Sequence, residues 1–77
     1  MRLRLEYTVE PFVEGAPGRH VTAALEAAGG TGLDVEFGPF GTTVAGADED
    51  VLSAADRIVR AAIDAGASRV SLQLVRA

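Results

Sequence analysis

The chain contains no cysteine, no lysine and no asparagine, and only one histidine, His20. Without cysteine it forms no disulfide, holds no thiolate metal site and carries no thiol nucleophile. With His20 as the sole imidazole, a metal would have to rest on scattered carboxylates, so no metal site is expected. All seven basic residues are arginine against eleven acids, and the net charge is −4. An acidic surface without a basic stripe repels a phosphate backbone, which argues against nucleic acid as a partner. No apolar run approaches the length of a membrane span. The first strand pattern starts at Arg2 with no signal peptide before it, so no membrane partner and a cytoplasmic location are expected.

What is present describes a folded protein. Of the 77 residues, 48% are apolar and 23% charged, within the range of ordinary globular chains. That length predicts one domain over residues 1–77, with a core that gives only a modest stability margin. Small domains usually add disulfides, a metal or a partner subunit. Association with further copies is the remedy this composition leaves open.

Arg2 to Glu10 alternates apolar and polar residues without a slip, which predicts a strand with Leu3, Leu5, Tyr7 and Val9 on one face. Pro11 ends it, because proline has no N–H for the ladder. Pro17 suits the first turn of a helix. Val21, Ala24, Leu25 and Ala28 then recur at helical spacing until Gly29-Gly30. Leu33, Val35 and Phe37 predict a second strand, Gly38 to Gly41 a hairpin turn, and Thr42 to Ala45 a third strand. Asp48 is placed to cap a second helix whose dipole the next two acids complement. Its predicted apolar stripe is Val51, Leu52, Ala55, Ile58, Val59, Ala62 and Ile63, with an Asp56–Arg60 pair on the outside. Gly66 supplies a left-handed stop, and Val70, Leu72 and Leu74 alternate in a fourth strand.

Two split β-α-β halves make a ferredoxin-like α+β fold, β-α-β-β-α-β. Its four-stranded antiparallel sheet has order 4-1-3-2, with both helices on one face. The helices are expected to cover Leu3, Leu5, Tyr7, Val9, Leu33, Val35, Phe37, Val70, Leu72 and Leu74. The opposite face would carry Arg4, Glu6, Thr8, Glu10, Asp34, Glu36, Ser71, Gln73 and Val75 with no helix over it. Function is expected there or at its rim.

His20 has no nucleophile motif near it and reads as a surface or rim residue. Asp48-Glu49-Asp50 lacks the alternating ligands and glycine of a calcium loop and reads as helix-end electrostatics. Gly29-Gly30-Thr31-Gly32 follows a helix, whereas a phosphate loop precedes one. Glu6, Glu10 and Glu36 with Arg2 and Arg4 read first as cross-strand ion pairs. A carboxylate on a partly covered sheet also suits a cationic heterocycle, and a loop aromatic such as Phe12 or Phe40 adds a cation–π contact. The most informative stretch is Gly38-Pro39-Phe40-Gly41-Thr42-Thr43. Its plain reading is a turn; its functional reading adds hydroxyls and free N–H groups able to orient a polar ring.

Val9-Glu10-Pro11 closing the first strand, the Gly38 to Gly46 hairpin, and Asp64-Ala65-Gly66-Ala67-Ser68-Arg69-Val70 after the second helix resemble the YkoF-like thiamine-binding proteins along essentially the whole chain. This chain carries Phe12 to Gly18 where relatives often have Ser or Thr, and it stops soon after the last strand. The resemblance implies a ferredoxin-like fold, a homodimer or homotetramer assembled through the sheet, and no catalysis. It implies a small heterocyclic ligand, thiamine or its hydroxymethylpyrimidine precursor, with no other cofactor. The residues implicated are Glu6, Thr8, Glu10, Phe40, Thr42 and Thr43.

Two other classes stand beside this one. A regulatory or assembly subunit would use the bare sheet face only as a protein interface. An acylphosphatase-like hydrolase on this fold needs a paired Arg and Asn, and the chain has no asparagine. Fold alone decides none of these.

Overall fold

β1 (Arg2–Glu10) forms as its alternation dictates, with Leu3, Leu5, Tyr7 and Val9 buried and the intervening residues open to solvent. In the computed structural model, residues 1–11, 18–38 and 41–77 are described. α1 (Arg19–Gly29), β2 (Asp34–Gly38), β3 (Gly41–Ala47), α2 (Asp48–Asp64) and β4 (Arg69–Arg76) follow. The sheet runs β2-β3-β1-β4 with every neighbouring pair antiparallel. This is the order two interleaved β-α-β units produce, because each helix crosses over a strand of the other unit.

The core joins the inner row of β1 to Val44 of β3, Val21, Ala24 and Ala28 of α1, and Val51, Ala54, Ile58 and Ala62 of α2. Leu5, Ile58, Val44 and Val51 are its largest fully enclosed side chains. Each contributes about 1.5–3 kcal/mol of burial free energy. Many of the helix residues at this junction are alanine, which lets α1 and α2 approach each other and the sheet closely.

Several expectations are corrected. Asp48 is the first residue of α2, not its cap; Ala47 holds that position and makes no side-chain cap bond. All three acids still lie in the first turn, where the helix dipole favours them. α1 begins at Arg19 behind Gly18, and the Pro17 expectation lies outside the described residues. Leu52 and Ile63 are about half exposed, whereas Ala54 is buried, so the packed stripe of α2 is rotated and narrower than its apolar pattern. Phe37, Leu72 and Leu74 sit on the helix side of the sheet yet remain 48%, 36% and 42% exposed. Two helices cover the two central strands and leave the flanking ones partly bare. Gly66 stops α2 with φ +104°, and the N–H of Ala67 returns to the Ala62 carbonyl at 3.0 Å. The Asp56–Arg60 pair forms, with Arg60 Nε donating to both carboxylate oxygens at 3.1 and 3.0 Å.

Candidate functional site

The β2–β3 hairpin and the C-terminal half of β1 meet at one end of the sheet, and a cavity opens on each side of that junction. On the helix side, about 310 Å³ is lined by Tyr7, Thr8, Val9 and Glu10 of β1, Val21 and Leu25 of α1, and Phe37, Gly38, Gly41 and Thr42 of the hairpin strands. On the open face, about 450 Å³ is lined by Glu6, Tyr7 and Thr8, Gly38, Gly41, Thr42 and Thr43, and Ser71, Leu72 and Gln73 of β4. Both volumes fall in the lower half of the range for small-molecule sites.

Register assigns the side chains to these two spaces. Thr43 stands opposite both Glu6 and Glu36, Glu6 opposite Gln73, and Thr8 opposite Ser71, so these residues share the open face. Thr42 stands opposite both Tyr7 and Phe37, and Tyr7 opposite Leu72, which puts that row on the helix side. The predicted site set is therefore divided. Glu6, Thr8 and Thr43 come together on the open face, Thr42 faces the helix side although it and Thr8 border both cavities, and Glu10 closes β1 beside the helix-side one. Phe40 and Phe12 lie outside the described residues.

Two carboxylates of the strands, those of Glu6 and Glu10, are engaged in surface pairs. Arg4 Nε lies 3.5 Å from Glu6 Oε2, and Arg69 Nε lies 3.7 Å from Glu10 Oε2. At this exposure such pairs hold weakly and can be exchanged for a ligand's charge. His20 directs its imidazole Nε2 to the Pro11 carbonyl, which ties the first turn of α1 to the end of β1. It makes no contact with a hydroxyl nucleophile among the described residues.

Gly41 lines both cavities. Its φ is +148°, and a Cβ there would meet the Tyr7 carbonyl oxygen at 2.9 Å and Thr8 Cγ2 at 3.2 Å. The hairpin can lie this close to β1 only with glycine at this position.

The alternation of β1 predicts Tyr7 as core, and the residue is only 5% exposed. Its hydroxyl, however, has no hydrogen-bond partner among the described residues. Burial pushes the phenol above its usual 10.0, and the neighbouring Thr42 side chain partly offsets this as a nearby polar group. Val21, Leu25 and Phe37 are the other lining residues that sequence reasoning missed. Their signal was apolar periodicity alone, which cannot tell a core position from a cavity wall.

The chain matches the family described as thiamine-binding protein over residues 5–75. Among solved structures it is similar to a proposed thiamine biosynthesis/salvage protein from Thermotoga maritima. The two share 29% identity with a TM-score of 0.72, over 97% of this chain and 81% of that one. It is similar to a domain of unknown function (DUF77) from Bacillus cereus at 25% identity and a TM-score of 0.72, over 96% of this chain and 72% of that one. A Streptococcus pneumoniae protein at 16% identity and a TM-score of 0.77, covering 97% and 83% of the two chains, shares the fold. No curated protein sequence matches. No helix among the described residues is long and apolar enough to cross a membrane. With nearly all of its length spanned by the family pattern, the chain belongs to the thiamine-binding protein family.

Proposed function

We propose that the chain binds thiamine or its hydroxymethylpyrimidine precursor at the hairpin end of the sheet, without chemical conversion, as a cytoplasmic homodimer or homotetramer. The observation that carries this reading is a pair of ligand-sized cavities beside the β2–β3 hairpin of a chain in a thiamine-binding family. The Thermotoga maritima relative, described in terms of thiamine biosynthesis or salvage, points the same way. Thiamine presents a cationic thiazolium and an aminopyrimidine with donor and acceptor edges. Glu6, Thr8, Glu10, Phe40, Thr42 and Thr43 are the residues proposed to meet those needs. A net charge of −4 attracts the cation over distance.

Assembly follows from the bare face. Arg4, Glu6, Thr8, Ser71 and Gln73 form a sheet surface with no helix over it, and association across it stabilises a small domain by mass action. Sedimentation at about tens of micromolar is expected to show a dimer or larger, and a monomer alone would remove this part of the reading. Calorimetry on ligand-free protein is expected to give saturable heat with thiamine or with hydroxymethylpyrimidine. Absence of heat with both would leave a ligand-free regulatory or assembly subunit.

A further inference from the structure

The two cavities are not equivalent as binding sites, and the difference lies in one row of side chains. Across β2, β3 and β1 that row reads Phe37, Thr42, Tyr7, each opposite the next. Neighbouring strands lie about 4.7–4.9 Å apart, so the two aromatic residues stand roughly two strand spacings from each other. Aromatic rings associate at about 4.5–7 Å between centroids. The small Thr42 between them therefore forms the floor of a slot that a flat ring can enter, with Val21 and Leu25 of α1 lining the same space.

Three features of the slot define what it would take. Phe37 is 48% exposed although it faces the helix side, so an apolar ring face stands ready to be covered. Tyr7 offers a hydroxyl that is enclosed and, among the described residues, unpartnered. An enclosed polar group without a partner is costly, and native structures seldom keep one without a use. Among the described residues, no lining residue is cationic and the only charged one is Glu10. A phosphorylated ligand would find no counter-charge among these residues. A volume of about 310 Å³ suits one substituted ring better than an extended diphosphate ester.

We propose that this helix-side slot, and not the open-face cavity, seats an uncharged nitrogen heteroaromatic ring against Phe37, with the Tyr7 hydroxyl donating to a ring acceptor. The inference rests on the thiamine-related reading and narrows it to the pyrimidine half of the molecule: of the residues proposed there, Thr8, Glu10 and Thr42 line this slot, whereas Glu6 and Thr43 line only the open-face cavity. Tyr7 becomes the residue that sets specificity, because a ring without an acceptor at that edge would leave the phenol stranded.

The chain has one tyrosine and no tryptophan, so the Tyr7 ring resonances in an NMR spectrum are unambiguous reporters of the slot. Hydroxymethylpyrimidine titrated into ligand-free protein is expected to shift them saturably, with the same affinity that calorimetry gives. Tyr7→Phe is expected to weaken that binding by about tenfold or more, while the unliganded variant melts no lower than the parent. Gln73→Ala, which alters only the open-face cavity, is expected to leave the affinity unchanged. Heat without movement of the Tyr7 resonances, or equal affinity in Tyr7→Phe, would overturn the inference while the thiamine-related reading stands. Failure of the parent protein to bind either hydroxymethylpyrimidine or thiamine would overturn that reading itself. If Tyr7→Phe does not fold, the resonances of the parent protein decide the matter alone.

Discussion

The cavities on the two sides of the β2–β3 hairpin share Tyr7, Thr8, Gly38, Gly41 and Thr42, yet differ in nearly every chemical respect. On the open face, Glu6, Thr8, Thr43, Ser71 and Gln73 form a shallow polar surface whose nearest carboxylate already has an arginine beside it. On the helix side, Val9, Val21, Leu25 and Phe37 surround the hydroxyls of Thr42 and Tyr7, the latter without a partner among the described residues. A polar surface of that kind suits contact with another subunit, where side chains and water share the hydrogen bonding. An apolar slot with few polar groups is the usual form of a small-molecule site. Strand alternation produces both from one stretch of backbone, because successive residues point to opposite faces.

The strongest way to break this comparison is to alter the backbone both cavities share. Gly41→Ala places a Cβ against the Tyr7 carbonyl in a conformation unfavourable for any other residue. It is expected to cost about 2–3 kcal/mol and to lower the melting temperature by on the order of 10 °C in a domain of this size. Circular dichroism melting would show this, and an unchanged melt would mean that the hairpin can move away from β1 freely.

Alkaline pH tests the helix-side cavity alone. The Tyr7 phenol is held above its usual 10.0 by burial, so the unfolded chain loses this proton first as pH rises. Stability from this group is fully present below about pH 10 and declines as pH climbs through the folded-state value. Denaturant unfolding as a function of pH should show the decline in the parent protein and a smaller one in Tyr7→Phe. Identical profiles would place the phenol in contact with water.

Gly46 offers a milder contrast to Gly41. A Cβ at Gly46 would come within 2.7 Å of Leu33, but of its terminal Cδ2 atom, which can rotate away. Gly46→Ala is expected to cost less than about 1 kcal/mol, with ligand affinity retained. A loss as large as that of Gly41→Ala would show that Leu33 is locked in place.

The smallest effect is expected far from both cavities. Asp56→Asn removes an exposed helix pair and should cost about 0.5 kcal/mol or less, vanishing at high salt. A larger, salt-independent loss would reveal a role for this face of α2 in assembly.

Much of this architecture was legible in the residues. The unbroken alternation from Arg2 to Glu10 marks β1 with its observed bounds, since a period of two has no other stable use next to a proline. The helical spacing of Val51, Ile58 and Ala62 and the Asp56–Arg60 separation marked α2 and its outward pair. Thr42 and Thr43 both border the open-face cavity, but their side chains take opposite faces of the sheet, as alternation requires. Which of them joins Tyr7 depends on the register of β3 against β1, and register is a property of two strands far apart in sequence.

Local periodicity by itself determined the strands, the helices and the inward row of β1, because each is set by neighbours within a few positions along the chain. Only the tertiary structure decided that two helices leave Phe37, Leu72 and Leu74 partly bare, that Gly41 must touch the β1 backbone, and that the Tyr7 hydroxyl ends without a partner among the described residues. An apolar pattern states that a side chain leaves water. Whether it then meets a packed neighbour or the wall of a cavity depends on how far the elements above it extend, and no spacing within one strand contains that distance.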